Sequence, residues 1–322
     1  MYSKNFNEIS IVERIYQRIL GLRNSDGQEE INQAVGQQNG QQSNVSKVMK
    51  SITRKNRIDT LMQIFLAEFF GAACLMYFGC MGCFGSVTEV AKLPPMQGGL
   101  VFGFVVASLI QGIGHISDAH LNPSVTLCAL ILKRINVYTA IIYLIAECLG
   151  CTFGLWLLQA TTQDIFIEYM TSNSTSGFCT TTIHPSIGIV RGFSIEFLCT
   201  AFLMYVVCSV WDSRNAHNSD STPLKFGILV AALSIAAGPF TGCSMNPARS
   251  FAPALINSVW DAHWVYWFAP LSGSLCSTLF YKYCFTTPEH PSEKSTDTVL
   301  KSPDSPIHES KPALGGKGQN SV

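Results

Sequence analysis

Six long apolar runs occupy the middle of the chain and restrict its fold more than any other feature. Each has about 19–26 residues, the length that a helix needs to cross a bilayer core of about 30 Å. Hydrocarbon offers no hydrogen-bond partners, so a crossing segment must pair its own backbone groups, as a helix does. The pattern predicts an all-α membrane protein with six transmembrane helices. The runs lie near residues 59–84, 98–117, 136–160, 188–211, 223–241 and 263–284.

The charged residues are few and are concentrated outside these runs. Only 13% of the 322 residues are charged, whereas soluble domains average about a quarter. The net charge of zero gives no indication of a nucleic-acid partner. Residues 1–56 are polar, and residues 286–322 are rich in Ser, Pro, Lys and Gly. We expect two disordered tails that flank a membrane domain at 57–285.

Two shorter pieces, Asn122 to Leu132 and Asn246 to Ile256, are semi-apolar but too short to span a bilayer. Each begins with Asn-Pro, and Asn is a preferred N-cap while Pro is preferred at the first helical position. We therefore expect two re-entrant half-helices. Irregular backbone at membrane depth is tolerated only where protein buries it or where it lines a water-filled path.

The basic residues predict the orientation. Five Lys or Arg residues lie between positions 47 and 57, before the first run, and Lys133 and Arg134 follow the second. The loop at 161–187 has no Lys or Arg. The positive-inside rule therefore predicts that both termini are cytoplasmic and that this loop is outside. The same loop contains a sequon at Asn173, which predicts glycosylation on the outer face of the plasma membrane.

The two halves of the chain repeat each other. Because each half has three runs, an odd number, the second half must enter the membrane from the opposite side. Such inverted repeats place their functional site near the midplane. Glu68-Phe69, Leu75-Met76-Tyr77 and Cys80 recur 128 residues later as Glu196-Phe197, Leu203-Met204-Tyr205 and Cys208, and Asn122-Pro123 recurs 124 residues later as Asn246-Pro247.

This symmetry predicts that both half-helix N-termini meet at one point. Each N-terminus carries about half a positive charge from the helix dipole, so a pore at that point repels cations, including hydronium. The amides of Asn122 and Asn246 could donate to a passing oxygen. A single Asn-Pro is adequately explained as a helix cap. Two copies at corresponding places of an inverted repeat favour the pore.

Residues His115–Thr126 and Thr241–Phe251 resemble the two signature loops of the aquaporin (major intrinsic protein) family, and the resemblance covers about residues 57–284. It implies a homotetrameric passive channel without enzymatic activity, cofactor or metal. The first loop has Ser124 where the family usually has Ala, and Asp118 where it usually has Gly. The signature residues are Asn122, Pro123, Ser124, Asn246, Pro247 and Ala248.

Arg249 is a charged residue within an apolar segment, which indicates function by default, although a structural ion pair is an alternative. The resemblance implies that Arg249 forms the narrowest part of the pore with Phe102, Ser234 and Cys243. Strict water channels of the family carry His where this chain has Ser234. A similar loss of that His is typical of the glycerol-permeable entomoglyceroporins of insects, which implies passage of glycerol and urea.

Other residues favour a strictly water-selective channel, which is the alternative. They are Ser250, Ala254, Tyr266 and Trp267, which resemble the water-selective branch. Ser234 could also be a small residue at a helix contact, since such residues are common between membrane helices.

Three further polar residues are expected to support the loops. Glu68 and Glu196 lie within apolar runs and could relay protons or accept hydrogen bonds from the re-entrant backbone. We favour the second role, because an unpaired backbone group in hydrocarbon costs several kcal/mol. We interpret His120 as loop-positioning, since no other ligand completes a metal site around it. Cys179, alone in the outer loop, is expected to be a free thiol.

Two other functional classes remain. A non-conducting scaffold could keep the same fold, but the presence of both Asn-Pro copies and Arg249 argues against it. An enzyme or coupled transporter has no nucleotide motif or acid–base pair beyond the two symmetric Glu residues.

Overall fold

The computed structural model describes residues 58–84, 96–163 and 177–286. These ranges contain six long α-helices, two short α-helices and a 3-10 helix at Ser213–Asn218. The N-terminal tail predicted at 1–56, nearly all of the C-terminal tail predicted at 286–322, and the sequon at Asn173 lie outside the described residues. In chain order the helices are α1 (Ile58–Met81), α2 (Gln97–Ser117), α3 (Pro123–Ile131), α4 (Val137–Thr161), α5 (Gly188–Trp211), α6 (Thr222–Thr241), α7 (Pro247–Asn257) and α8 (Val265–Cys284).

The long helices match the six apolar runs of the sequence. Helices α1, α2, α4, α5 and α6 are long and apolar enough to cross a membrane, and α8 has 20 residues, enough to cross a bilayer core. Large apolar side chains such as Phe70, Phe104, Leu198 and Phe268 are exposed on their outer faces. An apolar exterior of this kind suits a lipid environment. The predicted all-α architecture of six spans and two half-helices is confirmed.

The two half-helices begin where the sequence predicts. Helix α3 has Asn122 as N-cap and Pro123 as first residue, and α7 has Asn246 and Pro247 in the same positions. They contain 9 and 11 residues, too few to cross a bilayer.

The inverted repeat is visible in how the long helices pack. A Cβ atom at Gly150 of α4 would overlap the carbonyl oxygen of Phe69 in α1, and a Cβ at Gly273 of α8 would overlap that of Phe197 in α5. Each half thus uses a glycine to let two spans approach to backbone contact. This close approach buries the face of α1 that carries Glu68.

The expectation of a free thiol at Cys179 is wrong. Cys179 forms a disulfide with Cys80 near the end of α1, with the two Cα atoms 5.8 Å apart. The partners are separated by 99 residues, and Cys80 lies in an apolar run where cysteine behaves as a small hydrophobe. No pattern in the sequence therefore indicates that Cys80 faces the loop before α5.

Close packing of α1 and α4 yields a first prediction. Gly154→Ala should destabilise the fold, because its Cβ would overlap the carbonyl oxygen of Ala73, which is backbone and cannot move aside. Overpacking of this kind costs about 1–3 kcal/mol. The measurement is thermal unfolding in detergent, followed by size-exclusion chromatography. Gly112→Ala is the matched control, since a Cβ there meets nothing within 4 Å. Equal melting temperatures for the two variants would contradict the packing argument.

Candidate channel and its constriction

A cavity of about 350 Å³ runs inside the helix bundle. Residues from both half-helix loops and from α2, α5 and α6 line it. The lining includes Trp211 and Asp118, from the ends of α5 and α2, and also Gly98 and Cys179, from the start of α2 and the segment before α5. Seven of the predicted site residues line this one cavity: Phe102, His120, Asn122, Ser234, Cys243, Asn246 and Arg249.

The two signature asparagines contact each other's loops. The Asn122 side-chain amide donates to the carbonyl of Met245 at 2.9 Å, and the Asn246 amide donates to the carbonyl of Leu121 at 2.7 Å. Each amide thus crosses the pseudo-two-fold axis and binds the residue before the other asparagine. These two hydrogen bonds join the half-helix N-termini at one point of the cavity wall.

The other atoms of each amide are also assigned. The Asn122 Oδ1 atom accepts from the backbone N–H of Ser124, and the Asn246 Oδ1 atom accepts from Ala248 and Arg249, at 2.8–3.2 Å. Capping therefore fixes which way each amide faces. An amide nitrogen carries two hydrogens and only one is used across the axis, so each asparagine retains one donor at the cavity.

The prolines and small residues of the signature lie behind the asparagines. Pro123, Ser124, Pro247 and Ala248 are all buried. Ser124 accepts a hydrogen bond on its carbonyl from the Ser274 hydroxyl of α8 at 2.6 Å. This bond involves the backbone of Ser124, whereas its side-chain hydroxyl is buried without a hydrogen-bond partner among the described residues.

Glu68 and Glu196 bind the backbone of the loops that precede the half-helices. Glu196 accepts from the N–H groups of Ser244 and Met245 at 2.9 Å and from the Thr241 hydroxyl at 2.6 Å. Both carboxylates are fully buried. The loop-support hypothesis requires contacts of this kind, since these N–H groups lie between the helices and cannot pair within one.

Glu68 repeats the pattern in the other half. It accepts from the N–H groups of His120 and Leu121 at 2.9 and 2.7 Å and from the Ser117 hydroxyl at 2.6 Å. The loop residues that receive this support have left-handed backbone angles, with φ of +54° at Leu121 and +52° at Met245. Such angles are uncommon for non-glycine residues, so the carboxylates stabilise an otherwise unfavourable turn.

The sequence analysis missed a third buried carboxylate, Glu147 in α4. The Thr126 hydroxyl of α3 donates to it at 2.8 Å, and the Nδ1 atom of His120 lies 3.0 Å from the same hydroxyl oxygen. Because the hydroxyl proton is directed to Glu147, Nδ1 of His120 acts as the donor. His120 also stacks on Tyr143 with ring centroids 4.2 Å apart. A charged residue within the apolar run at 136–160 was the signal available in the sequence.

Arg249 lies in the first turn of α7 and is buried against two partners. Its Nη1 atom donates to the carbonyl of Cys179 at 2.8 Å, and its guanidinium carbon lies 5.1 Å from the centre of the Phe102 ring. In the part of the chain that the structure describes, no carboxylate forms an ion pair with Arg249. The charge is therefore available at the cavity wall, and the alternative of a structural ion pair has no support among these residues.

Ser234 and Cys243 line the same cavity as Arg249. Cys243 is 4% exposed and has a left-handed φ of +44°. Ser234 lines the cavity and also packs on α2, where a Cβ at Gly99 would lie 3.3 Å from the Cβ of Ser234. Both interpretations of Ser234, lining residue and helix contact, thus describe its position. We refer to Phe102, Ser234, Cys243 and Arg249 as the constriction.

At the other end of the cavity, Asp118 occupies the left-handed C-cap position of α2, with a φ of +59°. It forms a partly exposed ion pair with Arg134 at 3.5 Å, and the Arg134 guanidinium lies 4.7 Å from the centre of the Trp211 ring. The side chain that replaces the usual glycine therefore connects the ends of α2, α3 and α5. The adjacent Asp212 is bound by Arg214, which holds the pKa of this carboxyl well below its usual range.

The described ranges contain no group of three or more His, Cys, Asp or Glu side chains placed to hold a metal ion.

Loop support by Glu196 yields a second prediction. Glu196→Gln should lower water permeability and thermal stability together, because the new NH2 group replaces an oxygen that accepts from Ser244 or Met245. A buried N–H left without an acceptor costs about 1–3 kcal/mol. The measurement is stopped-flow light scattering on proteoliposomes, alongside thermal unfolding. Asp118→Asn, at a partly exposed carboxylate, is the control and should unfold near the original temperature. An unchanged Glu196→Gln channel would contradict the support role.

Comparisons with known proteins also point to the aquaporin (major intrinsic protein) family. The sequence model of the family described as "Major intrinsic protein" matches residues 55–281. Aquaporin-2 of Rattus norvegicus is 33% identical over 242 residues, covering 73% of this chain and 82% of its own length. Aquaporin-2 of Bos taurus is 32% identical over 230 residues, covering 69% and 79%. Aquaporin-4 of Bos taurus is 34% identical over 186 residues, but the match spans only 55% of its length.

A solved structure agrees at the level of the fold. The aquaglyceroporin from Plasmodium falciparum superposes with a TM-score of 0.59 at 23% identity, covering 70% of this chain and 96% of that one. Together with the six spans, the paired half-helices and the crossed asparagines, the family match leads to one conclusion: this chain belongs to the major intrinsic protein family of membrane channels.

Proposed function

We propose that this channel conducts water and small neutral solutes, including glycerol and urea, and excludes protons and ions. The observation that carries the proposal is the meeting of Asn122 and Asn246 in the same cavity that contains Arg249. Movement through such a pore is passive, as the resemblance to the aquaporin family implies.

Ion exclusion is expected at the point where Asn122 and Asn246 cross, which we call the midplane. Two helix N-termini with their positive partial charges converge where Asn122 and Asn246 cross. A cation at this point meets both dipoles and loses its hydration shell. A water molecule there accepts from the remaining amide hydrogens, so its oxygen cannot at the same time accept a proton from the next water.

Solute choice is assigned to the constriction. Arg249 offers donors to water oxygens and to solute hydroxyls, while the Phe102 ring offers an apolar surface for carbon atoms. Ser234 is smaller than the histidine of strict water channels, so it leaves more width, and its hydroxyl can donate or accept. Pore diameter and lining groups together set selectivity, and both favour a polyol here.

The second candidate function is a strictly water-selective channel. Two of the residues that favour it, Ser250 and Tyr266, form hydrogen bonds around the loop before α7. The Tyr266 hydroxyl donates to the carbonyl of Thr241 at 2.7 Å, and Ser250 pairs with Ser244 at 2.6 Å and with Thr181 at 2.7 Å. These contacts could hold the constriction narrow despite Ser234.

Substitution at Ser234 discriminates between the two candidates. Ser234→His should abolish glycerol uptake while water flux persists, because the imidazole narrows the constriction without altering the midplane. The measurements are radiolabelled glycerol uptake and osmotic water flux in cells that express equal amounts of protein.

Ser234→Ala is the matched control for width. It keeps the small volume, removes the hydroxyl and should still admit glycerol. If the unmodified protein admits no glycerol above background, the water-selective candidate is correct. If osmotic shrinkage of proteoliposomes is no faster than that of empty vesicles, the proposal that the protein conducts water is wrong.

Localisation and assembly complete the proposal. We propose a plasma-membrane protein with both termini in the cytoplasm, glycosylated at Asn173, in which four copies each carry their own pore. The basic residues before α1 support the orientation, and the family resemblance supports the tetramer. Cross-linking in native membranes should give a ladder that ends at four subunits. A ladder that ends at two would contradict the tetramer.

A further inference from the structure

We propose that the Cys80–Cys179 disulfide positions Arg249 and thereby sets the width of the constriction. The inference rests on the proposed function, which gives Arg249 its part in solute choice. It assigns a role to a cysteine pair that lies outside the two signature loops.

The first step is the contact between the loop and the arginine. The Arg249 Nη1 atom donates to the carbonyl of Cys179 at 2.8 Å, and its Nη2 atom lies 3.6 Å from the Cys179 sulfur. With no carboxylate partner among the described residues, this carbonyl is the polar group that fixes the guanidinium. The direction of the Arg249 side chain therefore depends on where the Cys179 backbone lies.

The backbone of Cys179 is itself held in place by the disulfide. Cys179 has a left-handed φ of +60°, a conformation that a non-glycine residue keeps only when its surroundings enforce it. Its sulfur is bonded to Cys80, which is fully buried in a core cluster with Met76 and Leu155. The disulfide thus attaches the loop to a rigid transmembrane helix.

The other contacts of the loop differ from the disulfide in what they hold. Asn257 donates to the carbonyl of Phe178 at 2.9 Å and to the Thr180 hydroxyl at 2.8 Å. These bonds connect the loop to α7, the half-helix that itself carries Arg249. They therefore cannot fix Arg249 relative to the Phe102 ring, which forms the opposite wall of the constriction. The disulfide makes that connection, assisted by stacking of Phe84 on Phe178 with ring centroids 4.7 Å apart.

The opposite wall is set by the residue next to Cys80. A Cβ atom at Gly79 would overlap the ring of Phe102, so this ring packs directly on the α1 backbone. Adjacent residues of α1 therefore determine both sides of the gap: Gly79 supports Phe102, and Cys80 holds the carbonyl that binds Arg249. Loss of the disulfide should let the carbonyl and the guanidinium move away from Phe102 and widen the gap.

The test uses Cys80→Ala in proteoliposomes, with loss of the disulfide verified by mass spectrometry. Permeabilities to water, urea, glycerol and erythritol are measured side by side. We expect the ratio of glycerol to water permeability to rise several-fold while water flux persists. Cys276→Ala, at an exposed free thiol on α8, is the matched control and should keep the original ratio.

A double variant shows whether the effect passes through Arg249. If the disulfide acts on Arg249, adding Cys80→Ala to Arg249→Val should change the ratio little further, because the positioned group is already gone. A general loosening of the fold would instead raise the ratio by the same factor in both backgrounds. Unchanged permeability ratios for both urea and glycerol in Cys80→Ala would overturn the inference.

The two proposals fail in different ways. The unmodified channel alone tests glycerol conduction, whereas the difference between variants tests the disulfide. If the unmodified channel passes only water, admission of urea by Cys80→Ala still supports the positioning role. Should Cys80→Ala not reach the membrane, the unmodified channel is compared before and after dithiothreitol, which reduces the disulfide to two thiols as it forms its own cyclic disulfide. The same shift in ratio is expected, and its absence after complete reduction overturns the inference.

Discussion

The crossed hydrogen bonds of Asn122 and Asn246 are the interaction on which the rest of the structure depends. Each asparagine caps its own half-helix and donates to the loop of the other at 2.7–2.9 Å. If either bond were lost, a side-chain amide N–H and a backbone carbonyl would remain unpaired at membrane depth, where each such group costs several kcal/mol. The same geometry supplies the free donors and the converging dipoles that a proton-excluding pore requires.

The buried carboxylates stabilise this arrangement from behind. Glu68 and Glu196 each accept two backbone N–H groups and one hydroxyl, so they replace the water that an exposed loop would bind. The first half contains an additional carboxylate, Glu147, which the Thr126 hydroxyl connects to His120. The two halves are thus symmetric in backbone support but differ in the polar groups behind it.

In the proposed function, charge selection and size selection lie in different parts of the cavity. The midplane depends on backbone dipoles and amides, which belong to both halves. The constriction depends on Arg249 and on a loop that joins α1 through a disulfide. A change there can therefore alter the size of the solutes that pass without weakening the barrier to ions. This separation explains how one fold can serve both narrow and wide pores.

The sequence by itself determined the spans and the half-helix starts, because apolar length and Asn-Pro caps are local signals, and the internal repeat brought the two asparagines together. Phe102, Ser234 and Cys243 were expected at the pore only from the family resemblance. The alternatives for Ser234 also came from the sequence, and the structure places it in both settings. Only the tertiary structure decided the partners of these residues. The Cys80–Cys179 disulfide joins positions 99 residues apart, and the acceptors of Arg249 and the network of Glu147 are likewise distant in the chain. Such contacts depend on how the helices pack, which no local pattern encodes.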